Sequence, residues 1–158
     1  MTETKSVPTL YEWVGGMPAL DKIFTRFYEK VLQDEMLEPL FRHMSKDHQQ
    51  HVAHFVAEVF GGPKLYTSND GSHYKMIRKH LGKHLTEQHR RRWAMLLIDT
   101  VDEMHAPDDP EFRSALVSYV EWGTRIAVIN SQNDEIEMNE EEPMPAWGWG
   151  EVKGPYIP

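Results

Sequence analysis

Histidine is the residue type that stands out. The 158-residue chain carries nine, and eight of them fall between His43 and His89. Imidazole is the commonest transition-metal ligand and titrates near neutrality, so a histidine-rich stretch points towards metal chemistry. There is no cysteine, which excludes thiolate-bound zinc, iron–sulfur clusters and disulfides. Two spacings are candidates for a ligand pair or triad, His48-x-x-His51-x-x-His54 and His80-x-x-x-His84.

The elements that must position these histidines read as helices. Leu20, Ile23, Phe24, Phe27 and Val31 form one apolar stripe over 19–32, after a short amphipathic piece at 9–14 and a Gly15-Gly16 break. Residues 39–41 read as turn-like. A second long helix covers 47–60, with Val52, Phe55, Val56, Val59 and Phe60 inward, and Gly61-Gly62-Pro63 stops it. Residues 64–71 read as loop and 73–80 as a short helix. Thr86 is positioned to cap a helix over 87–104, and Asp109-Pro110 to open another through about 130. No strand of useful length and no repeat is visible. The expectation is an all-α domain over 9–131, an N-terminal extension over 1–8, and a tail over 132–158.

The helical wheel disperses the first histidine run. At ~100° per residue, His48 lies about 30° from the stripe centre, His51 about 90° away and His54 about 150° away. His48 therefore enters the apolar side, as a core-edge histidine or a ligand-facing one, and His54 should face water. Gly82 interrupts the second pair, so His80 and His84 do not share a continuous helix. His80 shares the apolar side of its own helix with Met76 and Ile77, with His73 one turn further back. Tyr28, at the border of the buried stripe, needs a polar partner for its hydroxyl. Trp93 lies within the stripe of the 87–104 helix.

Charge is distributed unevenly. Of the net −8, residues 133–158 contribute −6 through seven acids against one base, leaving −2 for residues 1–132. Nothing here offers the basic face that nucleic acid requires, and no apolar run of ~18 residues offers a membrane span. The N-terminus shows no secretory signal, so the expected location is cytoplasmic. Residues 143–158 hold four prolines, three glycines, Trp147 and Trp149. Helix is excluded there, and the two tryptophans should dock on a surface rather than stay in water.

Taken in order, these residues resemble the truncated hemoglobins, in particular their second group. The resemblance rests on Gly15-Gly16, on Phe27-Tyr28 with Val31, Asp34 and Leu37, and on Phe41. It continues through Phe55, Gly61-Gly62-Pro63-x-x-Tyr66, the set His73, Met76 and His80, and Trp93 thirteen residues beyond His80. It covers about residues 8–131 and implies a two-over-two globin fold with heme b as cofactor.

By that resemblance His80 would be the iron ligand. Tyr28, His48 and Trp93 would line the distal side and donate hydrogen bonds to dioxygen, nitric oxide or peroxide. Phe41 and Val52 would press on the porphyrin, Phe55 would support the distal wall, and Tyr66, His73 and Met76 would border the heme. Lys79 would meet a propionate. A monomer or homodimer, supplied with electrons by an unidentified reductase, is the expected assembly. Two features depart from the family. His48 stands where many second-group members have a small residue, and Gly82-Lys83 replaces a common Pro-Phe step. Two other readings remain open from the residues alone. One is a non-heme, histidine-rich metal-binding helical protein; the other is a helical interaction module acting through the Trp147/Trp149 tail.

Overall fold

Four of the helices start at a side-chain cap the sequence supplies. In the computed structural model, which describes residues 6–135 and 139–155 and Asp70 by its backbone alone, Thr9 caps α1 (Leu10–Val14) in a reciprocal box with Glu12. Ser72 caps α5 (His73–Arg78), Thr86 caps α6 (Glu87–Glu103), and Asp109 with Pro110 opens α7 (Pro110–Ser131). Between them lie α2 (Gly16–Val31), the single turn α3 (Glu38–Phe41) and α4 (His48–Val59). No strand occurs among the described residues, and no helix there is long and apolar enough to cross a membrane.

Three boundaries differ from expectation for local reasons. α2 begins at Gly16 rather than residue 19, because Gly15, at φ 112°, ends α1 and opens α2 at one residue. Pro18 then falls in the first turn, where its missing N–H costs nothing. The stretch expected as loop contains a π-helical turn over Tyr66–Asp70, which places Tyr66 fully inside the core. The helix expected over 73–80 stops at Arg78, and His80 follows in a tighter turn, its N–H donating to the Ile77 carbonyl at 2.9 Å.

The core lies where α2 packs on α4 and α6, and α6 packs on α7. α2 with α4 and α6 with α7 make the two helix pairs of a two-over-two arrangement, and α2 with α6 joins them. Leu20, Ile23, Phe24, Phe27 and Val31 are all buried, as their spacing requires. The buried side of α4 is wider than the apolar stripe, since Ala53 and Ala57 are inside as well, and His54 is half-buried rather than fully solvated. The double glycine after α4 has a packing reason. Gly61 takes φ 87°, and a Cβ on Gly62 would meet the Tyr11 ring at 2.6 Å and the Ala57 carbonyl at 2.8 Å.

The described part of the tail runs back over the helices. The Trp147 N–H donates to the Val59 carbonyl at 2.8 Å, and its ring packs on Tyr119 and Trp122 with centroids 5.6 and 5.5 Å away. Trp149 donates through its indole to the Pro8 carbonyl at 2.7 Å and meets Trp13 edge-on. Both tryptophans therefore dock, as their cost in water requires. Tyr156 lies outside the described residues.

Candidate functional site

The helices enclose a cavity of about 580 Å³, within the range of ligand-binding sites. Ten of the eleven site residues expected from the sequence line it: Tyr28, Phe41, His48, Val52, Phe55, His73, Met76, Lys79, His80 and Trp93. Tyr66 is the exception. It sits behind the wall, edge-on to Phe55 at 5.1 Å, so it supports a lining residue instead of lining the cavity itself.

One group of lining residues is rich in hydrogen-bonding side chains. Tyr28 projects from α2, is 2% exposed, and places its hydroxyl 3.1 Å from Nε2 of His48 at the start of α4. This supplies the polar partner the buried phenol needs. The two rings are perpendicular at 5.0 Å, and Phe41 leans on both. Burial pushes the Tyr28 phenol up from its ordinary pKa. Burial, followed by the charges of Lys79 and Lys83 and the neighbouring imidazoles, pulls His48 down to about 4. Both groups are therefore neutral at pH 7. Trp93 joins them from α6, edge-on to Phe27 at 5.0 Å, and Phe27 is edge-on to Tyr28 at 4.9 Å. This aromatic chain ties the indole of α6 to the phenol of α2.

His80 presents a different chemistry. Its Nδ1 lies 2.9 Å from the Met76 carbonyl. A carbonyl only accepts, so Nδ1 carries the proton and Nε2 keeps its lone pair. Burial lowers the His80 pKa; the Met76 carbonyl opposes that shift, and the Lys83 and Lys79 charges reinforce it. A neutral imidazole with its second nitrogen anchored is the state in which histidine binds a metal. Lys79 and Lys83 are exposed and border the same cavity, so an anionic edge of a ligand would meet two cations. His73, one turn into α5, also lines the cavity, and its buried Nδ1 has no hydrogen-bond partner.

Among the described residues, no group of three or more histidine, cysteine or acidic side chains is arranged to hold a metal ion. His84 follows Gly82 with both residues at positive φ, so the chain has turned before His84 is reached. Lys83, Leu37, Leu40 and Pro145 line the cavity without having been anticipated. Leu37 precedes and Leu40 belongs to a single-turn helix too short to show a period. Lys83 is four residues from Lys79, but Gly82 removes the helical reading of that spacing.

Comparison with known proteins identifies the family. Residues 9–123 match the family described as bacterial-like globin. A group 1 truncated hemoglobin of a Synechocystis species is 35% identical over 104 residues, covering 64% of this chain and 82% of that protein. A group 2 truncated hemoglobin of Bacillus subtilis is 26% identical over 125 residues, covering 79% of this chain and 92% of its own. The crystal structure of the group II truncated hemoglobin from Bacillus anthracis superposes with a TM-score of 0.72 at 20% identity, covering 84% of this chain and 98% of that one. The matched residues span most of the helices and reach every lining element except the tail, and the chain belongs to the bacterial-like globins, heme proteins that bind dioxygen.

Proposed function

We propose that His80 would ligate the iron of heme b and that Tyr28, His48 and Trp93 would hold dioxygen, nitric oxide or peroxide beside it. The observation that carries this reading is the anchored, neutral His80, with Nδ1 bound to the Met76 carbonyl, lining one cavity with three potential N–H or O–H donors. The residues present suit the cofactor: apolar walls for a porphyrin, a free imidazole nitrogen, and two lysines for its carboxylates. Bound heme supplies the iron at which diatomic ligands bind and exchange electrons.

The chain's own part is orientation and hydrogen bonding. His80 is held in one tautomer and one ring position by the carbonyl behind it. Tyr28 and His48 share one hydrogen bond. When His48 donates through Nε2 to the phenol oxygen, the Tyr28 O–H is free to donate into the cavity. Trp93 has no protein acceptor for its indole among the described residues, so its N–H is available too. Each neutral hydrogen bond to a partly negative ligand contributes about 0.5–1.5 kcal/mol, or roughly 2- to 12-fold in release rate. Several donors around one small ligand favour retention over rapid exchange. That suits redox chemistry on reactive oxygen or nitrogen species better than bulk transport. A cytoplasmic setting and an electron-donating reductase go with this reading.

The test is the absorption spectrum of the purified protein after heme addition, repeated for His80→Ala. The wild type should give a Soret band of a histidine-ligated heme and the variant should not. An unchanged spectrum in His80→Ala overturns the ligand assignment. Rapid turnover of nitric oxide by the oxygenated protein, with slow oxygen release, supports the redox role. Fast reversible oxygen binding without turnover contradicts it.

A further inference from the structure

The turn that carries the chain from His80 towards α6 does not hold its shape by itself. Gly82 and His84 both sit at positive φ, 72° and 48°. A histidine stays in that region where its surroundings impose it. α5 anchors the turn weakly from the other side, since Ile77 is the buried residue of its six. The end of α7 imposes the shape. The Gly82 N–H donates to the Asn133 carbonyl at 2.8 Å, and the His84 N–H to the Ser131 carbonyl at 2.9 Å. The Leu85 N–H donates to the Ser131 hydroxyl at 3.0 Å, and the Gln132 amide returns a bond to the Leu85 carbonyl at 2.8 Å. The last carbonyls of a helix lack partners within it, so the turn and the helix end satisfy each other.

Ser131 is the junction. It is fully buried. Its single hydroxyl hydrogen goes to the Val128 carbonyl at 2.7 Å, and its lone pairs face the Leu85 N–H and the Gln132 amide, the latter at 3.1 Å. Thr100, equally buried, donates within its own helix to the Leu96 carbonyl at 2.7 Å. Ser131 does the same and also reaches a residue 46 positions away. The joined elements share the cavity: His80, Lys83 and Leu85 line it from the turn, Val128 and Asn130 from α7. We infer that Ser131 is a positioning residue of the cofactor site, a latch that fixes the 81–85 turn and, through it, His80 and Lys83. The inference rests on the reading of His80 as the heme ligand. Ser131 acts on that ligand through the backbone, as outer-shell partners act on a metal through the groups they orient.

The experiment uses the full-length heme-loaded protein and its Ser131→Ala, Gln132→Met and Thr100→Val variants. Three quantities are read: the rate of heme transfer to excess apomyoglobin, the iron–histidine stretching band of the ferrous protein, and amide exchange of Gly82, His84 and Leu85 in the heme-free chain. Ser131→Ala should speed heme transfer by about 2- to 12-fold, what one neutral hydrogen bond is worth, and shift the stretching band. Gly82 and His84 are the telling amides, because their acceptors are backbone carbonyls that the substitution leaves in place. Their protection should fall with that of Leu85. If Ser131→Ala does not fold, Gln132→Met, which removes an exposed donor to the Leu85 carbonyl, should move all three in the same direction. Thr100→Val deletes a buried hydroxyl elsewhere and should lower Tm without moving any of them. Lost protection at Leu85 alone, with heme transfer and stretching band unmoved, overturns the inference, and so does an equal response of Thr100→Val. If the wild type takes up no heme, the ligand reading fails, while exchange at Gly82 and His84 still decides whether Ser131 fixes the turn.

Discussion

The Tyr28 hydroxyl lies 3.1 Å from Nε2 of His48, so the two cavity donors are not independent. The single hydrogen between them comes from one partner at a time. If His48 gives it, the phenol can donate elsewhere; if Tyr28 gives it, the phenol is spent. Oxygen release measured by stopped flow should therefore be non-additive. Tyr28→Phe and His48→Leu each alter release by about 2- to 12-fold, and the double variant should depart from the sum of the two free-energy changes. Trp93→Phe should add independently. Strict additivity of the first pair would mean that the bond does not couple them.

The pH dependence of the heme-free protein follows from the histidines. His48 titrates near 4 in the folded chain against about 6.5 unfolded, so between those values the unfolded state binds more protons. Stability is then full above about pH 6.5 and falls as pH drops towards 4. His73 and His80 are lowered as well and act in the same direction. Urea midpoints at pH 7.5 and pH 5 should differ in the wild type. His48→Gln should reduce that difference without removing it.

Asp34 ties the turn before α3 to the helix that carries Trp93. One carboxylate oxygen accepts from the Met36 and Leu37 N–H groups at 3.1 Å each, and the other pairs with Arg92 at 2.5 Å. Burial alone would raise its pKa, but Arg92 and the backbone donors outweigh burial and lower it. Its contribution is present above the ordinary carboxylate range and is lost as pH falls through the depressed value. Asp34→Asn keeps the backbone acceptor and removes the ion pair. Because the Arg92 side chain is 46% exposed, the cost should be small, about 1 kcal/mol or less. The check is thermal unfolding at neutral pH and at successively lower pH, where the difference between the two proteins should shrink as Asp34 protonates.

Gly62→Ala is expected to do more damage than its single methyl implies. The new carbon would fall 2.6 Å from the Tyr11 ring and 2.8 Å from the Ala57 backbone oxygen. The backbone cannot yield like a flexible side chain, so about 1–3 kcal/mol is expected for this overpacking. Calorimetry should show a Tm lower by several degrees. A Tm equal to the wild type would show that α1 can shift without cost.

Most of the fold was legible in the sequence because caps, breaks and stripes agree with one another. Thr86 and Asp109-Pro110 mark helix starts, and Phe24, Phe27 and Val31 mark a buried face. The site was legible through ordered residue types more than through periodicity. A helical wheel puts His48 inward, but nothing in it says that Nε2 meets Tyr28. What stayed hidden depends on short or irregular backbone. The π-helical turn that buries Tyr66 behind Phe55 has no period to read. The turn that carries His80 past the end of α5 is set by hydrogen bonds from residues 131–133, which sequence spacing cannot reveal. Ala53 and Ala57 were missed because a buried alanine adds little to an apolar stripe.

The bond from Trp149 to the Pro8 carbonyl joins residues 141 positions apart. In topological terms it closes the polypeptide into a non-covalent ring, with the clasp lying outside the cavity. Chains whose terminal stretches lie side by side commonly tolerate relocation of their ends. A link made across the clasp, with the chain opened at the exposed turn around Lys46, would preserve the order of the helices while changing which of them is made first. Order of synthesis and final architecture can thus be separated in this globin.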